Sequence, residues 1–237
     1  MEYKYGITIS TYQRPDGKTP FYLKRALDSV FNQKYKNFKI FLIGDKYENE
    51  DEINNIVSLY DKEKIFFKNL SYAKERDNYT GWELWSYGGV NAINISVDVA
   101  LSEGYEFLCH LDHDDYWSED HLLEINNCIH ETKSDWVCTK SRYVSNRVLP
   151  SINNPYNYIN FLPTPAGLIH SSVCMNFKKI PLKYRDLYEE TGKLGLPSDA
   201  DLWFRVKEYI LKNNLKSTLI NKVTCIHDEE GYERTRK

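Results

Sequence analysis

Apolar positions alternate between strand-like runs and helical spacing over the first seventy residues. Tyr5 to Thr11 (YGITIST) is a β-rich run that ends in the turn formers Arg14-Pro15-Asp16-Gly17, which predicts a strand delivering a loop. Thr19-Pro20 then supply an N-cap and a first-turn proline, and Leu23, Ala26, Leu27, Val30 and Phe31 follow at helical spacing. Phe38 to Ile43 (FKIFLI) predicts a second buried strand ending at Gly44-Asp45. Glu48 to Tyr60 predicts a polar helix with Ile53, Ile56 and Val57 inward, and Lys64 to Leu70 a third strand.

Residues 71–87 carry no clean period, which predicts a long loop, with Trp82 and Trp85 open to two readings, packed core aromatics or the border of an acceptor groove. A helix from Gly88 places Val90, Ile93, Val97, Ala100 and Leu101 on one face and stops at Gly104. Glu106 to Leu111 is a fourth strand, Ser118 is placed to cap a helix through Ile129, and Asp135 to Thr139 opens another strand. Prolines 150, 155, 163 and 165 break the chain, Gly167 to Phe177 is an apolar strand candidate, Asp199 to Leu211 a helix, and Val223 to Ile226 a final short strand before His227. Strands alternating with helices define an α/β class with a central, mostly parallel sheet flanked by helices. Ligands of such sheets bind at the carboxyl ends of the strands, so the first loop, Asp45 and the residues after the fourth strand are expected on one edge.

Composition narrows the partners. The 237 residues suit one large domain, and a net charge of −3 provides no basic field for nucleic acid or anionic lipid. The start MEYKYGITIS has no apolar signal core, and no apolar run is long enough to span a bilayer. A cytoplasmic chain is expected, with peripheral membrane attachment and membership of a longer polypeptide both left open. Five cysteines without a C-x-x-C pair argue against a disulfide framework and a thiolate zinc site.

The chemistry concentrates in FLCHLDHDDYW, residues 107–117, where Asp112, Asp114 and Asp115 crowd together after an apolar run. A lone Asp before a helix is explained by the free N–H groups and the dipole there. Three carboxylates within four positions repel one another and need an opposing charge. Residues 112 and 114 point to the same side of an extended segment, and no Lys or Arg adjoins them. That suits a hard divalent ion, Mg²⁺ or Mn²⁺, which keeps positions open for substrate phosphates. On local spacing alone, the capped turn and the cation site both stand.

Four blocks in order, YGITISTYQRP, LKRALDSVFNQKYKNFKIFLIGD, GGVNAINISVDVALSEGYEFLCHLDHDDYW and SDADLWFRV, resemble a glycosyltransferase of the GT-A fold, most like the inverting enzymes of family 2. The resemblance runs from about residue 4 to 227. It implies one Rossmann-like domain, with residues 1–117 binding a nucleotide-sugar and 118–237 the acceptor. It also implies metal-dependent, hexosyltransferase-type transfer from a donor, expected to be a UDP-sugar, to a glycan or other hydroxyl acceptor. By the same resemblance Thr11, Tyr12, Arg14, Asp45, Asn94, Asp112 and His113 contact the donor. Asp112 lies toward the ribose and His113 offers its backbone at most. Asp114 holds the metal, His227 closes over metal or diphosphate, and Asp199 is the general base. Asp115 is left to stabilise the turn into the next helix.

Three departures stand out: relatives often carry glutamate at Ser198, aspartate at Gly44 and arginine at Ile93. The last removes a positive group near the diphosphate. Two rivals follow from the residues. A sugar nucleotidyltransferase shares a similar sheet and acidic site but wants a Gly- and basic-rich first loop, whereas TYQRPDGKTP has one Gly. A nucleotide-sugar-binding module without turnover is the other.

Overall fold

In the computed structural model, which describes residues 2–143, 145–152 and 155–228, YGITIST is strand β1 (Tyr5–Thr11). It is buried on both faces, which is why its apolar run scarcely alternates. Helix α1 (Thr19–Phe31) buries Tyr22, Leu23, Ala26, Leu27 and Val30. There follow β2 (Phe38–Gly44), α2 (Glu50–Val57), β3 (Ile65–Asn69), α3 (Gly81–Tyr87), α4 (Val90–Ser102), β4 (Phe107–His110), β5 (Tyr116–Trp117) and α5 (His121–Thr132). The remainder is β6 (Trp136–Tyr143), β7 (Val148–Leu149), β8 (Tyr158–Ile159), a 3₁₀ turn at His170–Ser172, β9 (Val173–Asn176), α6 (Leu187–Thr191), α7 (Ser198–Asn213) and β10 (Ser217–His227).

The sheet runs β3-β2-β1-β4-β9-β6-β10-β5, with β7 on β6 and β8 on β10. Its long ladders, β2–β3, β1–β2, β1–β4 and β6–β10, are parallel, while β9 enters antiparallel between β4 and β6. One apolar cluster, with Ile7, Ile9, Leu23 and Leu27, fills one side of this sheet. A second, with Phe41, Trp136, Leu202 and Trp203, fills the other. All five cysteines are buried and free. Among the described residues no helix is long and apolar enough to cross a membrane.

Four expectations are corrected. Thr19, expected as the N-cap of α1, is the first residue of the helix after Lys18, and its Oγ1 donates to Tyr12 O at 3.0 Å. Part of the 71–87 loop is α3, whose period is masked because Trp82 and Trp85 stay exposed while Ser86 and Tyr87 are buried. The last strand begins at Ser217, six positions before the expected Val223, since the register shift between Ile220 and Val223 breaks the apolar run. Helix α5 starts at His121 without a side-chain cap, and Ser118 only accepts the His121 N–H through its carbonyl.

His121 carries a stability prediction. It is fully buried, stacks on Trp117 with centroids 4.2 Å apart, and shares a 2.7 Å hydrogen bond between Nδ1 and Thr224 Oγ1. Burial pushes its pKa down to about 3. The unfolded chain, with a His pKa of about 6.5, therefore binds the proton first, and stability falls as pH drops from there toward 3. Urea unfolding at pH 6, 5 and 4 should show a loss from this residue that approaches about 1.4 kcal/mol per pH unit. His121→Gln should flatten the slope by that amount. An unchanged slope would refute the assignment.

Candidate active site

The carboxyl ends of β1, β2 and β4 open onto one edge of the sheet, where a cleft of about 970 Å³ is walled by residues from Ser10 to His227. Thr11 and Tyr12 leave β1, Asp45 leaves β2, and Asp112, His113 and Asp114 follow β4, all in the cleft wall. The first two loops are clamped together by Asp45 N donating to Thr11 O at 2.7 Å. Gly88 and Gly89 also line the cleft, between α3 and α4. A Cβ at Gly88 would stand 2.6 Å from Leu84 O, and Gly89 has a φ of +83°, so this sharp turn needs both glycines.

One end of the cleft brings an aromatic ring, a carboxylate and a guanidinium together. Arg76 Nε donates to Asp45 Oδ2 at 3.2 Å and its guanidinium lies 5.1 Å from the Tyr12 ring. Asp45 Oδ1 is buried with no hydrogen-bond partner. Burial raises the Asp45 pKa and Arg76 opposes that rise. Gly44 is explained by space: a Cβ there would lie 2.4 Å from Asn69 Oδ1, the atom that accepts the Tyr47 N–H.

The middle of the cleft carries the acidic cluster. Enclosure, followed by the charges of Asp115 and Asp114, pushes the Asp112 pKa well up. Asp114 Oδ2 meets Arg14 Nη1 at 3.3 Å, and the Asp114 carbonyl accepts from Arg25, whose other nitrogen is 2.8 Å from Asp228. Asp115 is fully buried and does not serve the turn into α5 as expected. Its Oδ1 is 2.9 Å from His227 Nδ1 and accepts from Asp228 N at 3.1 Å, tying the end of β10 to the cluster. Burial would lower the His227 pKa, but this hydrogen bond and the charges of Asp115, Asp112 and Asp114 bring it to about 9. His113 is buried edge-on against Tyr12, with ring centroids 5.5 Å apart.

Among the described residues no three His, Cys, Asp or Glu side chains converge as a ready-made metal site. Asp112 and Asp114 still offer two carboxylates to the cleft, with Arg14 3.3 Å from Asp114 offsetting part of their charge. Mg²⁺ and similar hard ions are commonly held by one or two carboxylates plus substrate phosphates. The donor set therefore fits an ion that arrives with a diphosphate.

The far wall contains Leu196, Pro197, Ser198 and Asp199, where α7 begins. Asp199 Oδ1 accepts from Ala200 N at 2.7 Å, and burial raises its pKa. Asp201, two residues on, is instead consumed by Arg185 and Arg205 at 2.8 and 2.6 Å. Arg147 also lines the cleft and forms no ion pair with another described residue; its guanidinium lies 5.5 Å from the Tyr143 ring, which in turn packs on His227.

Thr11, Tyr12, Asp45, Asp112, His113, Asp114, Asp199 and His227 are thus brought together. Two expected residues are not in the cleft wall. Asn94 has its amide committed to the Tyr184 backbone, donating to Tyr184 O at 2.9 Å and accepting from Tyr184 N at 3.2 Å, while the neighbouring Ile93 faces the cleft. Arg14 stands behind the rim, paired with Asp16 and Asp114. Sequence reasoning missed Arg76, Arg147 and His170. His170 lines the cleft with Nδ1 3.7 Å from Asp112 Oδ1 and Nε2 2.8 Å from Tyr184 Oη. The composition RPDGK drew attention to Arg14, whereas nothing local marks an arginine that reaches the cleft from a distant hairpin.

A mostly parallel sheet with a cleft at the carboxyl ends of its strands is the Rossmann-like architecture of the GT-A fold. The model of glycosyl transferase family 2 matches residues 7–174, and the chain belongs to that family. It is 37% identical over 244 residues to an uncharacterized glycosyltransferase of Acanthamoeba polyphaga mimivirus, covering 97% of this chain and 96% of the relative. Its fold is similar to that of S. aureus TarS (residues 1–349) in complex with UDP-GlcNAc, with a TM-score of 0.66, 15% identity, and coverage of 98% of this chain and 60% of that one. It is similar too to the mannosyltransferase PcManGT from Pyrobaculum calidifontis in complex with GDP-Man and Mn²⁺, with a TM-score of 0.58, 13% identity, and coverage of 96% and 57%. The chain spans about three fifths of each of these two structures.

Proposed function

We propose that this glycosyltransferase moves a sugar from a UDP-sugar to a hydroxyl acceptor with inversion, assisted by Mn²⁺ or Mg²⁺. The observation that carries the reading is the single cleft in which the Tyr12–Asp45–Arg76 wall, the Asp112–Asp114 pair and Asp199 meet. The UDP-GlcNAc complex of TarS and the GDP-Man and Mn²⁺ complex of PcManGT support a nucleotide-sugar and a divalent ion in such a cleft. Uracil is the base expected beside Asp45, as the UDP-GlcNAc complex of TarS supports.

Asp112 and Asp114 would hold the metal with the diphosphate oxygens, and the ion supplies charge neutralisation at the leaving group. Asp199 takes the proton of the acceptor hydroxyl as that oxygen bonds to the anomeric carbon. The bond from that carbon to the diphosphate oxygen breaks on the opposite face, and the electron pair leaves with UDP. Arg147, with His227 close by across the Tyr143 ring, would meet the charge that develops there, in the role left open by Ile93.

A thermal-shift panel of UDP-, GDP- and ADP-sugars tests the donor. At a hundredfold excess over Kd a bound ligand should raise Tm by about 5–10 °C. UDP-sugars with Mn²⁺ are expected to do so, with EDTA reversing most of the shift. No shift from any nucleotide-sugar in either condition would contradict the reading.

A further inference from the structure

Residues 73–79 form one tight turn, closed by Asp77 N donating to Ala73 O at 2.8 Å and by Tyr79 N donating to Glu75 O at 2.8 Å. Two adjacent side chains of this turn grip two different walls of the cleft. Arg76 Nε donates to Asp45 Oδ2 at 3.2 Å and its Nη2 to Lys46 O at 2.9 Å, which holds the loop after β2. Glu75 reaches α4 instead: its Oε1 accepts at 3.0 Å from the N–H of Asn91, the second residue of that helix. Asp45, Arg76, Gly88, Gly89 and Val90 all line the cleft, whereas Glu75 is 1% exposed and is not part of its wall. Glu75 Oε2 is buried with no hydrogen-bond partner. Burial, helped by the charge of Asp45, lifts the Glu75 pKa to about 7, opposed by the hydrogen bond from Asn91 N and by Lys74. A carboxyl so placed destabilises a fold, so its presence is explained by what it holds in place.

We propose that Glu75 is a positioning residue for the nucleotide: its bond to Asn91 N fixes the spacing between the Tyr12–Asp45–Arg76 wall and the Gly88–Gly89 bend, and it acts on the donor through Arg76 without touching it. The inference rests on the UDP-sugar reading and adds a residue that lies outside the cleft. A backbone N–H in the first turn of a helix has no partner within the helix, so this one is free to be held by a carboxylate from elsewhere in the chain. Removing the carboxyl uncouples the turn from α4. Arg76 keeps its bonds to the loop after β2 and shifts with that loop relative to the glycine bend. Lys74 and Tyr79 tie the same turn to α6, through Glu189 at 2.6 Å and the Tyr188 ring at 5.5 Å, so the turn stays formed when Glu75 is changed. A nucleotide that spans both walls then loses affinity in the ground state and the transition state alike, so donor KM rises while kcat holds.

The test compares wild type, Glu75→Gln, Glu75→Ala, Arg76→Ala and the Glu75→Ala/Arg76→Ala double variant. UDP affinity with Mn²⁺ is read by calorimetry, donor KM and kcat by UDP release, and amide hydrogen exchange on the chain without ligand. Thermal unfolding checks that each chain is folded; if Glu75→Ala is not, Glu75→Asp, a methylene shorter, takes its place. Glu75→Ala should weaken UDP binding and raise donor KM about tenfold, the scale of one charge-assisted hydrogen bond, with kcat unchanged. Glu75→Gln can still accept from Asn91 N and should stay within about threefold of wild type. On the Arg76→Ala background, Glu75→Ala should weaken UDP binding by less than about twofold, since the two act through one contact. Unchanged UDP affinity in Glu75→Ala, even with a lowered Tm, overturns the proposal. So does an equal loss with and without Arg76, or a Glu75→Gln variant as weak as Glu75→Ala. If wild type binds no nucleotide, the donor reading fails and exchange alone decides the clamp: faster exchange at Asn91 and across 73–79 in Glu75→Ala upholds it, and unchanged exchange overturns it.

Discussion

Asp199→Asn should lower kcat by about 10²- to 10⁴-fold, the usual worth of general-base help, while UDP affinity stays unchanged. The substitution is nearly isosteric. The amide oxygen can still accept from Ala200 N, as Asp199 Oδ1 does now at 2.7 Å, so the first turn of α7 is kept. What is lost is the ability to take the acceptor's proton. A pH profile separates this from a structural effect. Burial raises the Asp199 pKa, and the base works only when deprotonated. Wild-type kcat should therefore fall as pH is lowered through a midpoint above the ordinary carboxylate range, and the variant should lack that acid limb. Full turnover in Asp199→Asn would remove Asp199 from the mechanism.

The second large effect is expected at Asp114. Asp114→Ala should abolish the gain in UDP affinity that Mn²⁺ confers, leaving metal-free binding close to that of the wild type. Arg14 retains Asp16 at 3.2 Å, and Arg25 holds the carbonyl of residue 114 and Asp228, so the loop keeps its anchors when the carboxylate is removed. Calorimetry of UDP with Mn²⁺ and with EDTA reads the difference directly. A variant that still binds UDP more tightly with Mn²⁺, as wild type should, would show that the ion is held elsewhere.

The first half of the fold was legible because its strands are long parallel runs bounded by strong punctuation, such as Thr19-Pro20 and Gly44-Asp45. The acidic cluster was legible because like charges so close in sequence demand an external cause. Positions that depend on contacts across the chain were harder. Asn94 sits on an amphipathic helix, and only the packed structure shows that Ile93 turns to the cleft while Asn94 grips Tyr184. Asp115 read as a turn residue, yet its partner His227 lies 112 positions away. Arg147 comes from the β6–β7 hairpin, and its place beside Tyr143 and His227 follows from the parallel pairing of β6 with β10. In the same way, the exposure of Trp82 and Trp85 hid α3 from a search based on apolar period.

The proposed reaction also separates from its two rivals by what is released. A nucleotidyltransferase would free pyrophosphate from a nucleoside triphosphate, and a binding module would consume no donor. The most direct measurement is chromatography of the nucleotides after incubating the chain with Mn²⁺, a saccharide mixture and UDP-sugars in turn. The expected result is UDP formed from at least one donor, with the sugar recovered on a saccharide, and both suppressed in Asp199→Asn. Recovery of every donor intact, or pyrophosphate as the product when UTP and a sugar phosphate are supplied, would contradict it.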